Sequence, residues 1–107
     1  MTIPQKSQLL RWHDAILTRI DIDQAVGATS VSVRPFGSSA EVIAVGRGVR
    51  IVSYSRTEPW GPSDFINSAI LTPREGEKPA TLEIEMQSGD KVMISAEDFI
   101  VREAVKP

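Results

Sequence analysis

The sequence predicts a mainly β domain, and two observations carry that reading. Residues 81–87, Thr-Leu-Glu-Ile-Glu-Met-Gln, alternate apolar and polar without exception, and a short Gly-containing break separates them from a second strand-like run at 91–96. Elsewhere, β-branched segments of strand length lie between zones of proline and glycine, and few are long enough for a globular helix. The expected architecture is a single antiparallel sheet, a sandwich or a partly open barrel of about six or seven short strands, with at most one short N-terminal helix.

Composition sets the bounds. One hundred and seven residues suit one β-rich domain over 1–107, and hydrophobic residues (41%) and charged residues (24%) match a soluble globular protein rather than a disordered or fibrous one. A chain of this length can bury roughly two-thirds of its unfolded surface. There is no cysteine, so disulfides, thiol nucleophiles and Cys-ligated metals are excluded. Twelve basic residues against fourteen acidic ones give a net charge of −2, which draws the chain neither to nucleic acid nor to anionic membrane. The longest apolar run is residues 42–45, too short for a transmembrane span or signal peptide, and a cytoplasmic setting is expected.

At the N-terminus, Leu9, Trp12, His13, Ile16, Leu17 and Ile20 recur at helical spacing, while Ile16, Thr18, Ile20 and Ile22 alternate. The preferred reading is a helical turn at about 7–13 followed by a strand at about 15–23; the rival is a helix over 7–20. Residues 29–34 alternate, and 41–45 and 49–54 are β-branched runs on either side of Gly46-Arg47-Gly48. That Gly-x-Gly is either a tight turn between two strands or a bulge in one long bent strand. A phosphate-loop reading fails, because the Lys-Ser/Thr and the following helix are missing. Residues 64–71 read as a strand, since Pro73 would limit a helix to about two turns.

In the C-terminal hairpin, a three-residue loop at 88–90 is expected. It sets Met86 opposite Val92, Ile84 opposite Ile94 and Leu82 opposite Ala96, with Gln87 opposite Lys91 and Glu85 opposite Met93 on the outer face. Glu83 and Glu85 have a spacing compatible with paired carboxylate catalysis, but a solvated strand face explains them.

Three groups could bear function. His13, the only histidine, stands beside Asp14 and could act as a carboxylate-oriented base or a metal ligand. Neighbours on a strand point to opposite faces, so a structural hydrogen bond where the chain enters its first strand is preferred. Arg50, Val52, Tyr54 and Arg56 share one face of a regular strand, suited equally to an acidic partner or to the protein's own acidic hairpin and less to single-stranded nucleic acid. Trp60, between Pro59 and Pro62, is either an interface anchor on a stiff loop or a cap over one end of the core.

Trp12-His13-Asp14-Ala15, Pro59-Trp60-Gly61-Pro62-Ser63 leading to Ile66-Asn67-Ser68, and Gln87-Ser88-Gly89-Asp90 together resemble a family of small bacterial β-rich proteins. Its members open on a Leu-His-Asp-Ala motif and are grouped with immunity proteins of polymorphic toxin systems. The resemblance runs from Leu10 to Val101 and departs at Trp12, where the family has leucine. It implies a cytoplasmic protein that neutralises a toxin by occlusion, and it supplies no catalytic residue.

The expectation is therefore a non-enzymatic binding protein without cofactor or metal. Its contacts with a protein partner would come from Trp60, Tyr54, Arg50 and Arg56, with no nucleic-acid or membrane partner. The alternatives are a small hydrolase or metal-dependent enzyme built on His13 and Asp14, and a self-associating structural protein that forms a homodimer through a sheet edge.

Overall fold

The computed structural model of the chain describes residues 7–57 and 63–103. They form nine strands: β1 (Gln8–Leu9), β2 (Ile16–Asp23), β3 (Ala28–Arg34), β4 (Val42–Arg47), β5 (Ile51–Tyr54), β6 (Ile66–Thr72), β7 (Ala80–Met86), β8 (Lys91–Ala96) and β9 (Asp98–Glu103). All pair antiparallel, in a five-stranded sheet ordered β1-β6-β7-β8-β5 and a four-stranded sheet ordered β2-β3-β4-β9. The mainly β class is as expected, with more strands than the alternation alone suggests. No described residue is helical, so no helix is long and apolar enough to cross a membrane.

The expected helical turn at 7–13 is replaced by an extended segment laid along β6. Gln8 pairs with Leu71 and Leu9 with Ile70, and the Leu10 N–H donates to the Ala69 carbonyl at 2.9 Å. The chain leaves this ladder to bury Trp12, then rejoins it where the Asp14 N–H meets the Ile66 carbonyl at 2.8 Å. Asp14 takes a left-handed backbone conformation, φ 65°, at this kink. The apparent helical period of Leu9, Trp12 and Ile16 thus comes from a bulged strand that buries Trp12 while Leu9 stays in solvent.

The two sheets share a bent corner. β4 pairs with β9 from Val42–Glu103 to Arg47–Asp98, and β5 pairs with β8 from Ile51–Ser95 to Tyr54–Val92. Residues 48–50 therefore cover the same gap as 96–97, with one residue in excess. Of the two readings of Gly46-Arg47-Gly48, the bulge in a long bent strand is the one observed. The extra residue is accommodated by Gly48 at φ +63°, with the Glu97 N–H donating to the Arg47 carbonyl at 2.8 Å. A Cβ on Gly46 would sit 2.8 Å from the Phe99 ring, so this glycine lets β9 close over the corner. Outside it, Arg47 grips Asp98 bidentately at 2.8 and 2.7 Å. That hydrogen-bonded guanidinium holds the Asp98 carboxyl below its ordinary range, so the contribution of the pair is present at neutral pH and fades as pH falls through the lowered value.

The β7–β8 hairpin has the expected faces and a corrected register. Leu82 lies opposite Ile94, Ile84 opposite Val92 and Glu85 opposite Lys91. The Met86 N–H reaches the Asp90 carbonyl at 2.8 Å and the Gly89 N–H the Met86 carbonyl at 2.9 Å, so the loop is 87–89 rather than 88–90. The last position of such a loop requires positive φ, and Gly89, at φ 98°, takes it. Moving the loop by one residue slides the pairing by two, which leaves every side chain on its own face.

Trp12, Ala15, Val31, Val33, Ala44, Ile66, Ala69, Leu82, Ile84, Met86, Val92 and Ile94 are buried together between the sheets. Among the buried polar residues, Asp90 and Thr29 are the least exposed. Asp90 is 3% exposed, accepts the Thr57 N–H at 2.8 Å and the Ser88 hydroxyl at 2.9 Å, and so ties the chain leaving β5 to the hairpin. Thr29 is 1% exposed and its Oγ1 has no hydrogen-bond partner.

Three stability predictions arise. Gly48→Ala should cost about 1–2 kcal/mol, the penalty of a left-handed Cβ, and lower the urea midpoint at unchanged slope; no change would mean that the corner relaxes freely. Asp90→Asn leaves one acceptor oxygen where two are used and should destabilise by about 1–3 kcal/mol in the same assay. Thr29→Val removes a buried hydroxyl that bonds nothing while keeping the shape, so it should raise stability by about 1 kcal/mol. A loss there would show that the hydroxyl is satisfied in solution.

Candidate functional site

The corner joins the sheets on one side, and on another they part. β5 ends the first sheet and β2 ends the second, and no ladder connects them. The seam between them holds a cavity of about 430 Å³ and a second of about 360 Å³. Both are lined by Ile22 and Val52, so they adjoin along the seam as one trough.

Strand alternation builds one wall. Val52 and Tyr54 on β5, with Arg56 beyond it, line the larger cavity, and Arg50 lines the smaller. The four residues predicted to share a face therefore border the same trough. Their side chains are in different states. Arg50 donates to Glu97 at 2.9 Å, and Glu97 also receives Arg74 at 3.1 Å, so Arg50 is engaged at the corner. Tyr54 is 52% exposed, and neither its hydroxyl nor the exposed Arg56 guanidinium has a polar partner among the described residues. Trp60 lies outside the described residues. Of the positions around it, Thr57 is held by Asp90, and Ser63 and Asp64 line the end of the larger cavity.

The opposite wall comes from β2, which sequence reasoning did not assign to a site. Leu17, Ile20 and Ile22 point into the trough beside Arg19, which is held by Asp21 at 2.7 Å. The alternation of Ile20 and Ile22 was readable, but the break in register between Leu17 and Arg19 that turns Leu17 to the same side was not. Met86 and Asp90 close the larger cavity from below. The trough thus sets the apolar side chains Leu17, Ile20, Ile22, Val52 and Met86 among polar ones, with Arg19, Arg56 and Asp64 at one end and Arg50 and Asp23 at the other.

His13 and Asp14 lie elsewhere, and neither lines these cavities. The His13 Nδ1–H donates to the Asn67 carbonyl at 2.8 Å, and Asp14 accepts the Gln87 side-chain amide at 2.6 Å. The two side chains approach only to 3.6 Å and are both largely in solvent. Their hydrogen bonds stitch the kink before β2 to β6 and to the hairpin loop. Among the described residues no group of three or more His, Asp or Glu is placed to hold a metal ion. Glu85 accepts Asn67 at 3.2 Å across the outer face of the first sheet, where Lys91 stands opposite it; Glu83 faces Met93.

Comparison of the chain with family models, with curated proteins and with solved structures finds no match, so its chemistry is read from the side chains themselves.

Proposed function

We propose that the chain is a non-enzymatic binding domain that engages a protein partner along the β5–β2 seam. The observation that carries this is an exposed tyrosine and an arginine with no ion pair among the described residues, Tyr54 and Arg56, at the rim of a trough lined by apolar and polar side chains together. Tyrosine and arginine dominate interface energetics, because each brings a large contact area with a polar head that must find a partner. Here both heads are unsatisfied by the chain's own described residues, while Ile22, 60% exposed, supplies apolar surface in the trough itself. A partner of acidic character fits best, since Arg56 lacks a counterion among the described residues whereas Arg19 already has one. Arg50, satisfied by Glu97, would act at the margin of such a contact.

Occlusion of a bacterial toxin, the immunity-type role implied by the Trp12-His13-Asp14-Ala15 and Trp60 motifs, is the specific form proposed. Such an inhibitor acts in the compartment of its toxin by covering about 800 Å² of its surface, and it needs no catalytic group. The placement of His13 favours this over hydrolysis, since its ring is committed to a backbone carbonyl away from either cavity.

The test is affinity capture from the native host followed by titration of the purified partner by calorimetry. A stoichiometric partner should bind Tyr54→Ala or Arg56→Glu at least ~30-fold more weakly, the consequence of losing an interface residue worth about 2 kcal/mol. Lys78→Glu, which lines neither cavity, should bind as wild type. Equal affinity for all four proteins would move the interface off the seam.

A further inference from the structure

Two sheets leave four lateral edges, and three of them are guarded against pairing. β1 is two residues long. β5 is four residues long and lies between Arg50 and Arg56. β2 is broken by a shift of register between Leu17 and Arg19 and carries Arg19, Asp21 and Asp23. Brevity, bulges and charge are the usual defences of an edge strand. β9 has neither a bulge nor brevity. Its six residues pair with β4 in unbroken register, and its centre is Phe99-Ile100-Val101, aromatic and β-branched. No strand pairs with its other side among the described residues, and Ile100 and Val101 are 43% and 39% exposed.

Asp98 and Arg102, on either side of the apolar centre of β9, are self-complementary. In an antiparallel pair of two β9 strands centred on Ile100, Asp98 of one copy stands opposite Arg102 of the other, twice over. Ile100 meets Ile100 on the same outer face, and Phe99 meets Val101 on the inner face. Opposed residues on paired strands share a face, so only registers shifted by an even number of residues keep the two sheets continuous. Moving the centre to Phe99 sets Asp98 against Ile100, and moving it to Val101 sets Arg102 against Ile100. Of these, the Ile100 centre alone sets Asp98 against Arg102 and apolar residues against one another; at each end it also brings Glu103 opposite Glu97, whose carboxylate is already held by Arg50 and Arg74. Beside it, Ile43 and Val45 on β4 lie next to Arg102 and Ile100, extending the apolar strip away from the edge. Arg102 forms no ion pair among the described residues, whereas Asp98 already holds Arg47 and would gain a second guanidinium.

We propose that the chain forms a homodimer by antiparallel β9–β9 pairing about a two-fold axis at Ile100, joining two four-stranded sheets into one of eight strands. The β5–β2 trough takes no part in this contact, so the dimer stands or falls independently of the binding reading.

Sedimentation equilibrium of the full chain, with circular dichroism to verify folding, tests the assembly. Wild type should show a monomer–dimer equilibrium. Arg102→Glu, which sets like charges opposite each other at both ends, and Ile100→Lys, an edge-blocking lysine on an exposed site, should each weaken it at least ~10-fold while leaving the fold intact. Register is read separately. The chain has no cysteine, and residues directly opposite on paired strands lie within disulfide reach, so Ile100→Cys should give a covalent dimer under mild oxidation. Ile51→Cys, on the exposed edge strand β5, should cross-link far more slowly. A wild type that stays monomeric up to ~100 μM, well above the micromolar range of a weak specific contact, overturns the proposal. So does a dimer indifferent to both substitutions, or equal cross-linking of the two cysteine variants.

Discussion

One extra residue organises this molecule. Between the β4–β9 and β5–β8 ladders, residues 48–50 must pass over 96–97, and the surplus bends a single long strand pair until its halves belong to different sheets. Gly48 can take the left-handed backbone this needs, and Gly46 leaves space for the Phe99 ring. Had the pairing run straight, Ala44 and Val92 would lie along one surface rather than in the same enclosed core. Because the corner joins strands β4 and β9 to β5 and β8, it decides which strands are left as edges.

The second crossing, at the N-terminus, solves the same problem with side chains. The segment from Gln8 to Leu17 follows β6, but departs from it to insert Trp12 between the sheets. Asp14 takes the strained turn that results, and the Asn67 carbonyl and the Gln87 amide hold His13 and Asp14 in place. A histidine beside an aspartate suggests chemistry in a sequence. In this fold the pair fastens a kink, with His13 67% exposed at its side chain and lining neither described cavity.

Much of this was legible in the residues, and where it was not the reasons are physical. Strict alternation assigned β3, β7 and β8, and it placed Leu82, Ile84, Val92 and Ile94 on one face, because period-two burial is a local property of the chain. The hairpin register was missed by two residues since alternation is blind to an even slip; the positive-φ demand on Gly89 was the deciding signal, and it was present in the sequence. β1 was taken for a helical turn because a bulged strand that buries Trp12 mimics helical spacing. β9 was not assigned at all, since Asp98-Phe99-Ile100-Val101-Arg102-Glu103 has no alternation to read: its inner side lies at the rim of the core and its outer side carries Ile100. At the trough, β5 contributed the wall that was foreseen. The β2 wall depended on which edges face each other, a property of topology that no local pattern encodes.

The same bend that encloses the core separates two kinds of exposed surface. At the seam, edge strands from different sheets diverge, and the gap is lined by apolar and polar side chains together. Such a concave, chemically mixed surface can discriminate among partners by shape and charge. At β9 the exposed surface is the backbone itself, and recognition there rests on a ladder of main-chain hydrogen bonds that any extended chain could satisfy. Specificity at such an edge must come from the alternating side chains, and the sequence Asp98-Phe99-Ile100-Val101-Arg102 is complementary to its own reverse. An edge that reads the same in both directions favours a second copy of itself over an arbitrary strand, which turns the least protected border of the sandwich into its most selective one.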